Sequence, residues 1–167
     1  MFKVLVIAYN FPPLALSGVQ RTLKFVKYFR EYNWSATVIT SGKVNYPAYD
    51  NSMLNEAIKA DVEIIRTEPL NISKKFEQNG KRKLPSSSLM KIGSKISKTL
   101  FIPDSKKFWS KKAAKTAAAL LKERTFDALF ISVPPFSTVL PFLKLKEKNG
   151  NINRLELEIK NKQEELE

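Results

Sequence analysis

A chain of 167 residues fits one domain and leaves little room for two. It contains no cysteine and no histidine, which removes disulfides, thiolate metal sites and the commonest general base; any acid–base chemistry falls to carboxylates, lysines or tyrosines, and neither a metal nor a cofactor is expected. The formal charge of +13 is uneven: residues 71–124 carry 15 basic and 3 acidic side chains, whereas residues 151–167 carry 3 basic and 5 acidic.

The chain opens on an apolar run over residues 2–9, rich in β-branched residues and interrupted only by Lys3, the signature of a strand buried on both faces of a parallel sheet. Residues 10–16 contain Pro12 and Pro13 and predict a loop. Ser17 is placed as the N-cap of a helix in which Leu23, Val26 and Phe29 recur at helical spacing and which Asn33 closes. Residues 35–40 read as a second strand, completing a βαβ unit. A short helix over residues 52–59 and a third strand over residues 62–67 follow. Residues 71–88 are polar, basic and serine-rich, a composition that predicts mobility.

Residues 89–100 and 105–124 are helical by pattern, parted by Pro103. Residues 126–133 form a fourth strand, Pro134 and Pro135 break it, and residues 137–147 form a helix that tolerates Pro141 near its first turn. This alternation predicts an α/β fold: a Rossmann-like, doubly wound parallel sheet with strand order three, two, one, four. Residues 151–167 are read as a separate C-terminal amphipathic helix, because Ile152, Leu155, Ile159 and Leu166 sit at heptad-like positions and glutamate favours helix over strand. The expected organisation is therefore a domain over residues 1–150 and a charged helical tail over residues 151–167, with a homodimer through that helix as one way to cover its apolar stripe.

The first candidate site is the loop after strand one. Helix-start N–H groups, the helix dipole, Gly18 and the Arg21 guanidinium, next to the switch point of an open α/β sheet, suit a phosphate or carboxylate. An ordinary βα loop, with Gly18 chosen for backbone geometry, explains the same residues, and there is no GxGxxG fingerprint.

At this point the sequence resembles a known family. Tyr9, Phe11, Pro12, Pro13, Gly18, Arg21 and Trp34 in the first stretch, and Ser132, Pro134, Pro135 and Ser137 about 120 residues later, are similar to two motifs of family 4 glycosyltransferases. The likeness covers about residues 1–150. It implies the N-terminal, acceptor-side half of a GT-B fold, with Pro12, Pro13, Ser17, Gly18 and Arg21 in an acceptor or phosphate loop and Ser132, Pro134, Pro135 and Ser137 in a second loop. The implied reaction is sugar transfer from a nucleotide sugar to a lipid-linked or polysaccharide acceptor.

Two departures stand out. Ala15 and Leu16 occupy positions where relatives carry a glycine pair, and the acidic tail replaces the next strand. No donor-binding half is present, so the chain reads as a truncated form, inactive alone, that depends on a nucleotide-sugar domain or second subunit.

The second candidate site is the basic helical region. Lys91, Lys95 and Lys98 line one helix face, and Phe108 and Trp109 follow with lysines around them. Lysines with aromatic anchors suit an anionic membrane surface; lysines simply solvated over a stripe packed on the sheet explain the pattern equally directly. Few arginines and no recognisable module argue against nucleic acid. No targeting signal and no apolar run near the ~20 residues of a membrane span are visible, which predicts a cytoplasmic protein, peripheral on the inner membrane face if the basic block docks there. The alternative function is a non-catalytic membrane-surface or protein-interaction module.

Overall fold

The computed structural model describes residues 1–42, 48–67, 104, 106–148 and the backbone of 152–159. Five parallel strands, β1 (Phe2–Ala8), β2 (Trp34–Ser41), β3 (Glu63–Thr67), β4 (Phe126–Val133) and β5 (Ile152–Ile159), form one sheet in the order β3-β2-β1-β4-β5. The helices are α1 (Ser17–Phe29), α2 (Asn51–Lys59), α3 (Lys107–Glu123) and α4 (Val139–Lys148), with 3₁₀ turns at Arg30–Tyr32 and Phe136–Thr138. The expected Rossmann-like architecture and the order of the first four strands are both present.

Successive strand residues point to opposite faces, so β1 divides cleanly between two cores. Val4, Val6 and Ala8 join Val19, Leu23 and Val26 of α1 and Met53 and Ala57 of α2. Leu5, Ile7 and Tyr9 join Trp109, Ala113, Ala117 and Leu121 of α3 and Phe142 of α4. Burial on both sides is why the run is uniformly apolar from Val4 to Ala8, whereas Phe2 and Lys3 ahead of it are exposed. Ala113 and Ala117, both fully buried, bring α3 close to the sheet. Each fully buried Leu or Ile, such as Leu129 and Ile131, contributes about 1.5–3 kcal/mol relative to exposure.

Helix ends follow local chemistry. Asn33 takes the left-handed conformation (φ 63°) that ends the turn after α1, as expected of this residue type. Asp50 caps α2, its Oδ1 accepting from Ser52 N at 2.8 Å and Ser52 Oγ at 2.6 Å. Ser17 is not the cap of α1. The extended residue is Leu16 (φ −116°, ψ 146°), and Ser17 is already the first helical residue.

The tail departs from its expected form. Residues 152–159 are not helical: they form β5, paired in parallel with β4 from Phe126↔Ile152 to Val133↔Ile159. The expected boundary at residue 150 therefore falls inside one sheet, and a dimer through a helix of these residues has no helix to use. The physical reason is an open hydrogen-bonding edge on β4, which a strand satisfies and a helix does not. Residues 160–167 lie outside the described residues, as do residues 71–103 with the basic block's Lys91, Lys95 and Lys98. Among the described residues no helix is long and apolar enough to cross a membrane.

Candidate functional site

The strand order reverses at β1: the chain moves outward to β2 and β3, then returns to place β4 on the other side. Loops leaving neighbouring strands diverge at such a point, and a crevice opens at the carboxyl ends. Here that crevice is a cleft of about 190 Å³. Its lining is Tyr9, Asn10, Leu16, Ser17, Gly18 and Arg21 from the β1 side, with Ser132, Val133 and Pro134 from the end of β4. The two candidate loops, far apart in sequence, thus meet around one space. That volume lies below the roughly 300–1,000 Å³ of drug-sized ligand pockets, so it suits a small group such as a phosphate rather than a whole nucleotide sugar.

Several features make the cleft receptive to an anion. Leu16 offers α1 no side-chain cap, and the Val19 and Gln20 N–H groups donate to the Leu16 carbonyl at 3.0 and 3.4 Å. The first N–H groups of the helix and the positive end of its dipole face the same crevice. Arg21 adds a fixed positive charge one turn in. Gly18 is outside the left-handed region, and a Cβ built on it meets nothing within 4 Å. Backbone geometry and packing therefore do not require glycine here, which removes the purely structural explanation for it. Among the described residues the lining holds no carboxylate, and the chain has no histidine, so these residues can bind and orient a ligand but offer no group matched to proton transfer near neutral pH.

The loop after β1 is held from several directions. The Tyr9 carbonyl accepts from Ser41 N (3.2 Å), Ser41 Oγ (2.7 Å) and Thr40 Oγ1 (3.1 Å), locking the end of β1 onto β2. Asp50 N donates to Pro13 O at 2.7 Å, and Ala15 N donates to Ala48 O at 3.1 Å. Arg66 at the end of β3 donates through Nη2 to the Pro12 carbonyl and through Nη1 to Ser41 O at 3.5 Å. Across the cleft floor the buried hydroxyls of Thr22 and Ser132 lie 3.1 Å apart, tying α1 to β4.

Ser17, Gly18, Arg21, Ser132 and Pro134 line the cleft, while Pro12, Pro13 and Pro135 do not; Pro12 and Pro135 are buried and Pro13 half-buried, shaping the two loops from behind. Ser137 is also absent from the lining. Its N donates to Asp104 Oδ2 (2.8 Å), its Oγ donates to Asp104 Oδ1 (2.7 Å), and it sits 3.0 Å from Ser110 Oγ. That network anchors the start of α3 to the second loop, with Lys106 N donating to Asp104 Oδ1 as well.

Trp109 corrects the expected membrane set. It is 2% exposed and packs edge-on against Tyr9 with centroids 4.9 Å apart, so it belongs to the core and not to a membrane-facing surface. Phe108 is half-buried beside Lys107, whose Nζ lies 5.6 Å from its ring. Sequence reading missed Arg66 and Thr22. Their signals were present: a charged residue inside an apolar strand, and a hydroxyl one turn from Gly18 on the buried face of α1.

No family model and no curated protein matches the chain. A solved structure, the C-terminal domain of a hydrogenase from Pyrococcus furiosus, is similar at a TM-score of 0.51 and 12% identity, covering 95% of this chain and 91% of that one. At that identity the likeness supports the fold and nothing further.

Proposed function

We propose that the chain is the acceptor-side half of a family 4-like glycosyltransferase, its cleft holding the phosphate of an acceptor that receives sugar from a nucleotide sugar bound by a separate domain or subunit. One observation carries this reading: both loops with glycosyltransferase-like motifs line a single cleft at the switch point, together with Arg21 and an uncapped helix start. In such a transfer the bond from the sugar's anomeric carbon to the nucleotide breaks, a bond to the acceptor oxygen forms, and the acceptor proton must leave. The described cleft residues hold the acceptor but provide no base, so the chain by itself should turn over no sugar.

Calorimetric titration with inorganic phosphate, small phosphate esters and nucleotide sugars tests this. Phosphate-bearing ligands should bind, with nucleotide sugars no tighter than simple esters. Arg21→Gln should weaken binding about tenfold or more, the loss of a charge-assisted contact of roughly 1.5–3 kcal/mol. Gly18→Val should also weaken binding, whereas Gly18→Ala should leave the melting temperature equal or higher, since alanine is the better helix former by up to about 1 kcal/mol. Phosphate affinity unchanged by Arg21→Gln would overturn the site. Sugar-dependent product from the pure chain would overturn the division of labour. A chain that binds no phosphate ester would favour the non-catalytic interaction module instead.

A further inference from the structure

Arg21 lines two spaces. One is the cleft; the other is a groove of about 570 Å³ along α1, lined also by Phe25, Tyr28, Phe29 and Tyr32. These aromatic residues follow Arg21 at helical spacing, so they form a stripe running from the cleft to the far end of the helix. From Arg21 to Tyr32 the stripe is ~16 Å long at the helical rise per residue. Phe25, Tyr28 and Tyr32 are 43%, 45% and 74% exposed, a concentration of apolar surface that α1 does not need for its own packing. Phe25 and Phe29 rest on Phe130 of β4, with centroids 5.6 and 6.1 Å apart, which holds the floor of the groove.

We propose that the cleft and groove together bind a single-chain lipid phosphate, with its head at Arg21 and the start of α1 and its chain along the aromatic stripe. The inference rests on the acceptor-side reading and names the class of that acceptor. The charge pattern sets the direction. Arg21 sits where the groove opens into the cleft, and Glu31 lines the opposite end, which repels a phosphate. Lys24, midway along, sits on the exposed rim, its Nζ 2.7 Å from Glu56 Oε1. The cleft alone is too small for more than a head group, and the groove adds apolar contact along the stripe; one amphiphile with its head at Arg21, which both spaces share, satisfies both.

The test compares octyl phosphate, below its micelle concentration, with ethyl phosphate and neutral octyl glucoside by calorimetry. Octyl phosphate should bind at least about tenfold tighter than ethyl phosphate, the gain expected from burying a couple of methylenes. The double variant Tyr28→Ser/Tyr32→Ser, both sites well exposed, should remove that advantage and leave ethyl phosphate binding unchanged; Arg21→Gln should weaken both phosphates. Equal affinity for the two phosphates overturns the lipid inference and leaves the phosphate cleft standing. So does an advantage that survives the double variant, or octyl glucoside binding as tightly as octyl phosphate. If neither phosphate binds, the acceptor-side reading itself fails.

Discussion

Trp109 shows how one residue's role turns on its surroundings. Next to a lysine-rich stretch it reads as an interfacial anchor, because indole favours that zone. What decides otherwise is Tyr9, at the end of β1, which presents its ring edge-on and closes the core beneath the cleft. Lys106 completes the stack, its Nζ lying 4.9 Å from the Tyr9 centroid on another approach. Trp109→Ala should therefore destabilise the fold by about 3–5 kcal/mol, as large aromatic truncations in cores do. Urea unfolding reads this directly. A variant that kept its midpoint but lost vesicle binding would restore the interfacial role. At this scale the sequence revealed the cleft residues better than their neighbours. Arg21, Gly18 and Ser132 were legible from local order: the end of an apolar run, the start of a helix, the end of a second run. The partners of Ser137 and Trp109 were not, because Asp104 and Tyr9 reach them through the tertiary fold.

At the scale of elements, β1, β2 and β4 were legible from apolar, β-branched stretches with few charged residues, and β3 from the Ile64–Ile65 pair in a short β-favouring run. β5 was not. Residues 152–159 carry two periods at once: Leu155, Leu157 and Ile159 alternate with Arg154, Glu156 and Glu158, while Ile152, Leu155 and Ile159 also fall at helical spacing. Glutamates tipped the reading towards helix by propensity. Yet charged residues are what edge strands use to avoid pairing with other molecules, and β5 ends the sheet. Where two periods compete, the open edge of a neighbouring strand decides, and that edge is invisible in the sequence. Backbone chemical shifts of residues 152–159 should report extended conformation, with cross-strand contacts from Leu155 to Leu129. Removing these residues should bare the edge of β4 and bring concentration-dependent association, read by light scattering. Helical shifts, or a deletion variant that stays monomeric with an unchanged melting temperature, would sink β5.

The whole molecule should respond to pH only at the extremes. Hydrogen bonding to Lys24 and then Lys27 holds the Glu56 carboxyl below its usual range; Arg124, and less strongly Thr37, does the same for Glu63; and Ser52 lowers Asp50. Carboxyls depressed in the folded state add stability that is present above their unfolded values, about 3.9–4.3, and lost as pH falls through the lower folded values. Lys27 and Arg124 are raised by those same partners, so their share is present below their unfolded values and lost only in strong base. With no histidine, no side chain of ordinary pKa titrates between pH 5 and 8. The urea midpoint should be flat across that range and fall below about pH 4. Glu63→Gln should cost about 0.2–1 kcal/mol at pH 7, typical of an exposed ion pair, and should soften the acid limb. A marked step near pH 6.5 would contradict this account.

All five strands run in the same direction, so β5 ends at the edge of the sheet that carries the cleft, while β1 begins at the opposite edge. The two ends of the sheet are therefore unequal places to attach anything. An affinity handle or fluorophore joined at Met1 starts a full strand length away from Arg21. A fusion partner joined directly after Ile159 would depart from the rim of the binding edge, two strands from the loop that carries Gly18, where its bulk competes for the space a ligand must cross. For any binding measurement the immobilising link belongs at the amino terminus.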